Sequence, residues 1–353
     1  MQRYLNARTS MTFKVRVIKY LSLFLRTRLC SVLFRTLFQK PTFVITTNPG
    51  AFLGNQLTIF AHLIAYAMEN GREIWGPSFF LYAKHFENTS RDLFTRYPKR
   101  KSLLPRSQPL RVFLYYYGFA RLVRVVLLHP EPPVKDLAVI TDYECKRPLD
   151  SLEFRSETAG KRVVVIEGYF FRTSGVMLKR HFEAIKEYFM PLKDHVARAS
   201  AVVRQARVGA EVLVGVHLRQ FDPIIDHSPP PMYRYEHAEQ MSQPLHRTAG
   251  LFSGKEVKFL LFSNGRINRS LFSGLSTMEG TGHIAEDLHA LSLCDYILAS
   301  TYSSYSRWAS FYGNVPLYQV DDLGAKFSVE DFLVRVPGLS DPTSEGVTSE
   351  VML

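Results

Sequence analysis

The chain has 353 residues, of which 46% are hydrophobic and 22% are charged. This length exceeds what one ordinary hydrophobic core requires, so two domains are expected. The composition is that of a soluble globular protein. It excludes a disordered chain and a chain built mainly of membrane-spanning segments.

The formal net charge of +12 is concentrated near the N-terminus. Residues 1–40 supply +9 of it and contain no acidic residue, so the remaining residues carry only +3. A body this mildly basic argues against a nucleic-acid-binding protein.

The N-terminal segment, residues 1–40, mixes basic and apolar side chains. Its uncharged runs are shorter than the roughly 20 apolar residues that cross a bilayer, and Arg26 and Arg28 interrupt the stretch that a signal peptide needs. We predict a basic amphipathic helix, which either lies on an anionic membrane surface or packs on the protein body. The expected location is cytoplasmic, free or peripheral at the cytoplasmic face of the membrane.

The three cysteines, Cys30, Cys145 and Cys294, are far apart and have no CxxC spacing. This pattern predicts reduced thiols, with neither a disulfide framework nor a zinc site.

Beyond Pro41, short apolar strands alternate with helical segments. Strands are predicted at 43–46, 163–166, 212–218, 257–262, 296–299 and around 315–320, and helices at 55–69, 181–190, 192–206, 286–293 and 303–312. Residues 97–135 show no readable pattern. The alternation predicts an α/β fold with parallel sheets and two halves that meet near residues 208–209. Two such halves bind ligands between them, at the carboxyl ends of their strands.

The first candidate binding motif is His217-Leu218-Arg219, at the end of a strand that is apolar on both faces. A guanidinium binds phosphate oxygens with a fork of N–H donors. When a sugar nucleotide reacts, its departing diphosphate gains charge that a cation must stabilise. Many glycosyltransferases use a metal held by an Asp-x-Asp pair, and this sequence has none, so Arg219 is a candidate for the metal's role. The alternative is an ion pair with Asp222, with His217 in the core.

The second motif runs from residue 286 to residue 304. Asp287 is expected to open a helix, where the helix dipole favours a carboxylate, and it is also suited to accept two hydrogen bonds from guanine. Downstream, Ser303 and Ser304 stand at a helix start, where hydroxyls and unpaired N–H groups bind anions. The alternative is helix capping by Asp287 and Ser303.

The third motif, residues 48–57, joins a strand to a helix through Gly50 and Gly54. It is neither a dinucleotide-binding G-x-G-x-x-G pattern nor a phosphate-binding Walker loop. Alone it predicts only a tight turn.

Together, in this order, the motifs resemble the fucosyltransferase superfamily that uses GDP-fucose. The nearest likeness is to alpha-1,2-fucosyltransferases (family-11-like), with features shared by the alpha-1,6 and protein O-fucosyl branches. The resemblance covers roughly residues 43–320 and is carried by Leu53-Gly54-Asn55-Gln56-Leu57, by Glu167-Gly168-Tyr169-Phe170, by His217-x-Arg219, and by residues 287–304 with Arg307 and Trp308.

The resemblance implies a GT-B-like pair of Rossmann-like domains: 41–208 on the acceptor side, 209–337 for the nucleotide sugar, and a polar tail at 338–353. It implies an inverting, metal-independent transfer with no cofactor, in which GDP-fucose is the donor substrate and a glycan the acceptor. Arg219 would bind the diphosphate, His217 the nucleoside, Asp287 guanine, and Ser303 and Ser304 phosphate. Gly54, Asn55 and Gln56 would face the cleft.

The sequence also departs from the family. Gln220 stands where a second basic residue is common, Phe221 replaces a glycine, and residues 263–266 lack the usual acidic residues. Candidates for the base that deprotonates the acceptor hydroxyl are Asp222, Asp226 and His227.

The leading hypothesis is a fucosyltransferase that acts on a surface polysaccharide, adding fucose in alpha-1,2 linkage to a galactose-type residue. Two alternatives keep the fold: a different donor sugar, or a noncatalytic protein that binds GDP-sugars or glycans.

Overall fold

The computed structural model describes residues 36, 38–46, 52–102, 107–119, 136–143, 148–220, 238–299 and 303–339. The helix predicted within residues 1–40 lies outside these ranges almost entirely, as do Cys30, Cys145 and the tail from residue 340. Among the described residues, no helix is both long enough and apolar enough to cross a bilayer.

The described strands form two five-stranded sheets. They are β1 (Thr42–Ile45), β2 (Glu73–Trp75), β3 (Arg96–Tyr97), β4 (Leu137–Asp142), β5 (Val163–Gly168), β6 (Val212–Leu218), β7 (Val257–Ser263), β8 (Ser276–Glu279), β9 (Tyr296–Ala299) and β10 (Leu317–Gln319). The first sheet has the order β3-β2-β1-β5-β4, and the second has the order β10-β9-β6-β7-β8.

The α-helices of the same ranges connect and cover these strands. They are α1 (Leu53–Asn70), α2 (Glu87–Ser90), α3 (Gln108–Phe113), α4 (Leu152–Thr158), α5 (Gly175–Arg180), α6 (Phe182–Tyr188), α7 (Lys193–Ala206), α8 (Ser242–Leu251), α9 (Ile284–Leu291) and α10 (Ser304–Gly313). A π-helical turn, Leu114–Phe119, follows α3, and short 3-10 turns stand at Pro77–Leu81, Ala83–His85, Ala238–Met241, Arg269–Phe272 and Val329–Asp331.

Both sheets are parallel at their centres, and the predicted α/β class with two Rossmann-like halves is confirmed. The central strands β1 and β6 are buried along their whole length, as strands covered by helices on both faces must be. One expectation was too simple, because β3 pairs with β2 in the antiparallel direction. Residues 76–95, between β2 and β3, form short helical turns rather than one long crossover helix, and the chain re-enters the sheet edge in the opposite direction.

Helix α1 is buried over most of its length. Every residue from Leu53 to Ala67 is buried except Asn55. The helix ends at Gly71, which adopts a left-handed conformation (φ 60°) and donates its N–H to the carbonyl of Ala67. A helix apolar on nearly all sides must be covered on nearly all sides, and α1 packs between the first sheet and α10.

The C-terminal segment returns to the first half through buried hydrogen bonds. His62 accepts the N–H of Thr173 at Nδ1 (3.0 Å), so Nε2 carries the hydrogen that bonds the carbonyl of Pro337 (2.9 Å). Burial is the main reason why the pKa of His62 lies well below its usual value. Arg172 donates to the carbonyl of Gly338 (3.0 Å). The chain therefore crosses between the two halves twice, once between α7 and β6 and once where the C-terminal segment returns.

Several predicted elements differ in detail from the observed ones. The helix predicted at 181–190 corresponds to α6, and α5, which ends just before His181, was not predicted. His181 separates the two helices because its backbone angles are non-helical. Strands β2, β3, β4 and β8 were not predicted. Three of them, β2, β3 and β8, are only two to four residues long, whereas β4 was overlooked despite its apolar run from Leu137 to Ile140. The proposed boundary near residues 208–209 falls in the turn between α7 and β6 and stays a prediction.

Candidate active site between the two sheets

The carboxyl ends of the two sheets face each other, and the start of α1 touches the start of α10. A Cβ added to Gly54 would lie 2.5 Å from the backbone nitrogen of Tyr305 and 2.7 Å from Oγ of Ser304. Only glycine permits an approach this close. Gly54 follows β1 and Ser304 follows β9, so the first and second motifs meet across the junction although 250 residues separate them.

Arg219 lies at the same junction. It immediately follows β6, the central strand of the second sheet. Its guanidinium carbon is 4.5 Å from the ring centroid of Phe52, which precedes α1 in the other half. A cation held over an aromatic face has a defined position, and a guanidinium is shaped to bind phosphate oxygens with two N–H groups. The sequence-predicted diphosphate ligand is thus placed beside two helix starts.

His217 sits below Arg219 on β6 and is buried, with 7% exposure. Burial, and next the charge of Arg219, lower its pKa to about 3, so the imidazole is neutral at physiological pH. The Ser306 hydroxyl donates to the carbonyl of Ser303 (3.3 Å), so His217 donates from Nδ1 to Ser306 Oγ (3.4 Å). This tautomer leaves Nε2 as an acceptor.

Ser303 and Ser304 form the start of α10. Ser303 is the N-cap, and its hydroxyl accepts the N–H of Tyr305 (3.3 Å), so the capping alternative for this residue is confirmed. Capping satisfies one of the free N–H groups at a helix start and leaves the others for an anion.

Asp287 does not open its helix. Helix α9 begins at Ile284 and is capped by His283, whose side chain accepts the N–H of Glu286. The predicted capping role of Asp287 is therefore wrong, because the helix starts earlier than the apolar pattern indicated. Instead Asp287 is buried, and its Oδ1 accepts the N–H of Thr281 (2.7 Å) and the hydroxyl of Thr281 (2.9 Å).

This carboxyl group braces the loop between β8 and α9. Burial raises the pKa of Asp287, although the hydrogen bonds from Thr281 act in the opposite direction. A Cβ at Gly280 would lie 2.7 Å from Asp287 Oδ1 and 2.6 Å from the Phe262 ring, so the loop is pressed against both. Asp287 therefore shapes the loop between β8 and α9.

The Gly54-Asn55-Gln56 turn lies at the start of α1. The phenol oxygen of Tyr82 accepts the N–H of Leu53, and no side chain caps the helix from Phe52. Gln56 is fully buried, whereas Asn55 is half-buried in an otherwise buried run. Of the three predicted cleft residues, Asn55 is therefore the one with an accessible side chain.

Two departures from the family pattern are in direct contact. The N–H of Gln220 donates to Asn264 Oδ1 (2.7 Å), and Asn264 Nδ2 donates to the carbonyl of Gln220 (2.9 Å). The Gln220 side chain also donates to Ser263 Oγ (2.9 Å). Neutral amides and a hydroxyl therefore fix the loop after β6, where the sequence lacks both a basic residue and an acidic one.

Two residues of the C-terminal motif, Arg307 and Trp308, have structural roles. Arg307 is buried and donates to Gln319 (2.8 Å) and to the carbonyl of Leu339 (2.7 Å). Trp308 packs edge-on against Phe189, with ring centroids 5.6 Å apart. These residues tie α10 to its surroundings. The candidate bases Asp222, Asp226 and His227, and Phe221, lie outside the described residues.

Glu167 is a candidate that sequence reasoning quoted without assigning a role. It is the penultimate residue of β5, which pairs with β1, and it accepts a hydrogen bond from the hydroxyl of Tyr143. Tyr143 is 47% exposed, and its ring lies edge-on to Tyr169 with centroids 5.9 Å apart. A carboxylate among accessible aromatic rings at this sheet edge is suited to a polar, ring-shaped acceptor. The signal was Glu167 itself, at the end of an apolar strand.

No family model matches the chain, and no curated protein matches it. Solved structures do match. A mutant of Arabidopsis thaliana FUT1 in complex with GDP aligns with a TM-score of 0.50 and 13% identity, over 79% of this chain and 70% of that one. Fucosyltransferase NodZ from Bradyrhizobium aligns with a TM-score of 0.46 and 16% identity, over 80% and 96%. The apo form of POFUT1 aligns with a TM-score of 0.42 and 10% identity, over 79% of this chain and 97% of that one. The likeness to FUT1 shows a shared GT-B-like fold.

Proposed function

We propose that this protein transfers fucose from GDP-fucose to a hydroxyl group of a glycan, by inversion and without a metal at the diphosphate. The observation that carries the proposal is the convergence of Arg219 with the starts of α1 and α10 between the two sheets. The motif resemblance supports GDP-fucose as the donor. The solved FUT1 that shares the fold is described in complex with GDP, which makes GDP the first nucleotide to test.

The diphosphate is assigned to Arg219 and to the N-terminus of α10. The leaving group becomes more negative as the glycosidic bond breaks, so charges fixed beforehand stabilise the transition state more than the ground state. A guanidinium supplies a full positive charge, and a ten-residue helix supplies oriented N–H groups. The contact with Phe52 holds the guanidinium in position before the donor binds.

The nucleoside is assigned to His217 and Asp287. His217 is neutral and offers Nε2 as an acceptor, which suits a ribose hydroxyl. Asp287 already accepts two hydrogen bonds from Thr281 on Oδ1, and its carboxylate also accepts the backbone N–H of Gly282. We assign guanine to its second oxygen, because a carboxylate has room for about four donors.

The acceptor is assigned to the edge of the first sheet. Asn55 and the exposed face of Tyr143 line this side of the junction. We propose an alpha-1,2 transfer to a galactose-type residue of a surface polysaccharide. Asp222, Asp226 and His227 remain candidate bases on sequence grounds, and Glu167 is a fourth candidate on structural grounds.

Isothermal titration with GDP, GDP-fucose and UDP, each with and without EDTA, tests the donor site. We expect binding of both guanine nucleotides, weak binding of UDP, and GDP affinity that survives EDTA. Failure to bind any guanine nucleotide contradicts the proposal. Binding of GDP-fucose without turnover, over a panel of galactose-terminated acceptors, favours a noncatalytic protein.

The role of residues 1–40 at a membrane surface and the cytoplasmic location also remain proposals. Deletion of residues 1–40 should lower recovery of the protein in the membrane fraction. Unchanged recovery argues for a segment that packs on the protein body.

A further inference from the structure

Three histidines from distant parts of the chain meet where the two halves of the molecule join. His85 follows β2 in the first half, His195 is in the first turn of α7, and His283 caps α9 in the second half. One ring nitrogen from each lies within 4.8 Å of the other two. His85 and His195 are both buried, with 8% exposure, and the His283 side chain is 36% exposed.

The spacing of the two buried histidines fits a shared tetrahedral metal. His85 Nδ1 and His195 Nε2 are 3.3 Å apart. Two imidazole nitrogens, each about 2.0–2.1 Å from a tetrahedral zinc ion, are separated by about 3.3–3.4 Å. The backbone supports this pairing, because the N–H of Leu192 donates to the carbonyl of His85 (3.0 Å) and so fixes the start of α7 beside it.

A carboxylate behind His195 supplies the second requirement of a histidine metal site. His195 Nδ1 is 2.9 Å from Glu286 Oε1, so the ring that offers Nε2 to His85 can donate its other nitrogen to a carboxylate. This arrangement fixes the tautomer of a metal-binding histidine and makes the ligand nitrogen more basic. Arg198 Nε donates to the same Glu286 oxygen (2.6 Å) and holds the carboxylate in place, and Arg198 Nη2 lies 3.0 Å from His195 Nδ1, where it competes with the carboxylate for that nitrogen.

The third histidine has a ligand atom to contribute and room to move. His283 accepts the N–H of Glu286 at Nδ1 (3.4 Å), which leaves Nε2 for a metal. Its ring is now stacked on His195 (centroids 4.4 Å apart, 22° between planes), so it must turn to point its lone pair at a shared ion. Partial exposure makes that rotation possible and leaves a fourth position open to solvent.

We propose that His85, His195 and His283 bind one Zn²⁺ ion, or a similar divalent transition metal, with a solvent molecule as the fourth ligand. Imidazole ligands without thiolates suit zinc, copper, nickel and iron, and a three-histidine set selects against magnesium and calcium. The ion joins the two halves, because His85 belongs to one and His283 to the other. It is separate from the proposed diphosphate site at Arg219 and the start of α10.

Zinc titration of the untagged full-length protein, after removal of metal by a chelator and without nucleotide, tests this site. We expect one equivalent to bind with submicromolar affinity. Co²⁺ should give the intense visible absorption of a tetrahedral site, and Zn²⁺ should raise the melting temperature. A metal-depleted protein that binds neither ion saturably overturns the proposal and leaves a direct N–H···N bond between His85 and His195.

Variants locate the ion. His195→Ala should weaken zinc binding at least 100-fold, and His283→Asn, which retains an N-cap residue, should do the same without disturbing α9. Glu286→Gln should weaken it about 10- to 100-fold. His246→Ala, an exposed histidine of α8, is the matched control and should bind as the wild type does. Equal zinc affinity in folded His195→Ala and His283→Asn proteins overturns the assignment.

Discussion

The contact between Gly54 and the start of α10 allows a test in which two simple rules predict opposite results. Gly54 is the second residue of α1, and replacing a helical glycine with alanine ordinarily stabilises a protein by up to about 1 kcal/mol. In this structure the added Cβ would lie 2.5 Å from Tyr305 N and 2.6 Å from the carbonyl carbon of Ser304. Both are backbone atoms, so no side-chain rotation can relieve the overlap.

The size of the effect follows from the distance. Ordinary van der Waals contact begins near 3.4 Å, so α1 and α10 must separate by about 0.9 Å in Gly54→Ala. Overpacking of this kind costs about 1–3 kcal/mol. The start of α10 and the ring of Phe52 move with it, and a displacement near 1 Å in a catalytic site costs on the order of 100-fold in rate. We therefore expect lower stability and a loss of turnover of that order.

Gly250 provides the matched control. It is an exposed residue of α8, and a Cβ there would meet no atom within 4 Å. Urea unfolding, followed by the fluorescence of Trp75 and Trp308, should show Gly250→Ala unchanged or slightly stabilised and Gly54→Ala destabilised by about 1–3 kcal/mol. If Gly54→Ala is as stable as Gly250→Ala and binds GDP like the wild type, the two helix starts do not form the site.

Further changes test individual groups. Arg219→Ala should lower turnover by about 100- to 1000-fold, and unchanged turnover, as expected for the surface control Arg204→Ala, would move the diphosphate site elsewhere. Asp287→Asn keeps an oxygen for Thr281 but replaces the second oxygen with a donor, so the preference for GDP over UDP in titrations should fall about 10- to 100-fold; an unchanged preference leaves Asp287 as a loop brace only. Burial lowers the pKa of His289 to about 4, so the unfolded state binds this proton first as the pH falls below 6.5, and stability is lost with acidification. Between pH 7 and pH 5, the free energy of unfolding of His289→Gln, measured by urea titration, should therefore fall by about 2 kcal/mol less than that of the wild type. Equal falls in the two proteins would mean that His289 is protonated in the folded state.

Much of the fold could be predicted from local pattern. Strand β6 was predicted with its observed bounds, because a central parallel strand is a continuous apolar run between turns. Helix α1 was found from its helical periodicity, although it begins two residues earlier than predicted. Strands β2 and β8 were missed because three or four residues, partly polar, carry too weak a pattern to separate them from loops.

The candidate site, like the fold, was predictable only where it depends on neighbours along the chain. The sequence by itself determined which residue types stand at strand ends and helix starts, since these depend on neighbours along the chain; this identified Arg219, Ser303 and the Gly54 turn. It placed Asp287 at a helix start, but the fold caps that helix with His283 and turns Asp287 toward Thr281.

Only the tertiary structure decided which of these residues meet. Gly54 touches Ser304, Gln220 pairs with Asn264, and Phe52 covers Arg219, although at least 44 residues separate each pair along the chain. The three histidines are an extreme case, because each is isolated in its own sequence context and none suggested a metal ligand. Local periodicity reports burial, whereas proximity across a sheet junction depends on how the two halves pack, and no short stretch of sequence encodes that packing.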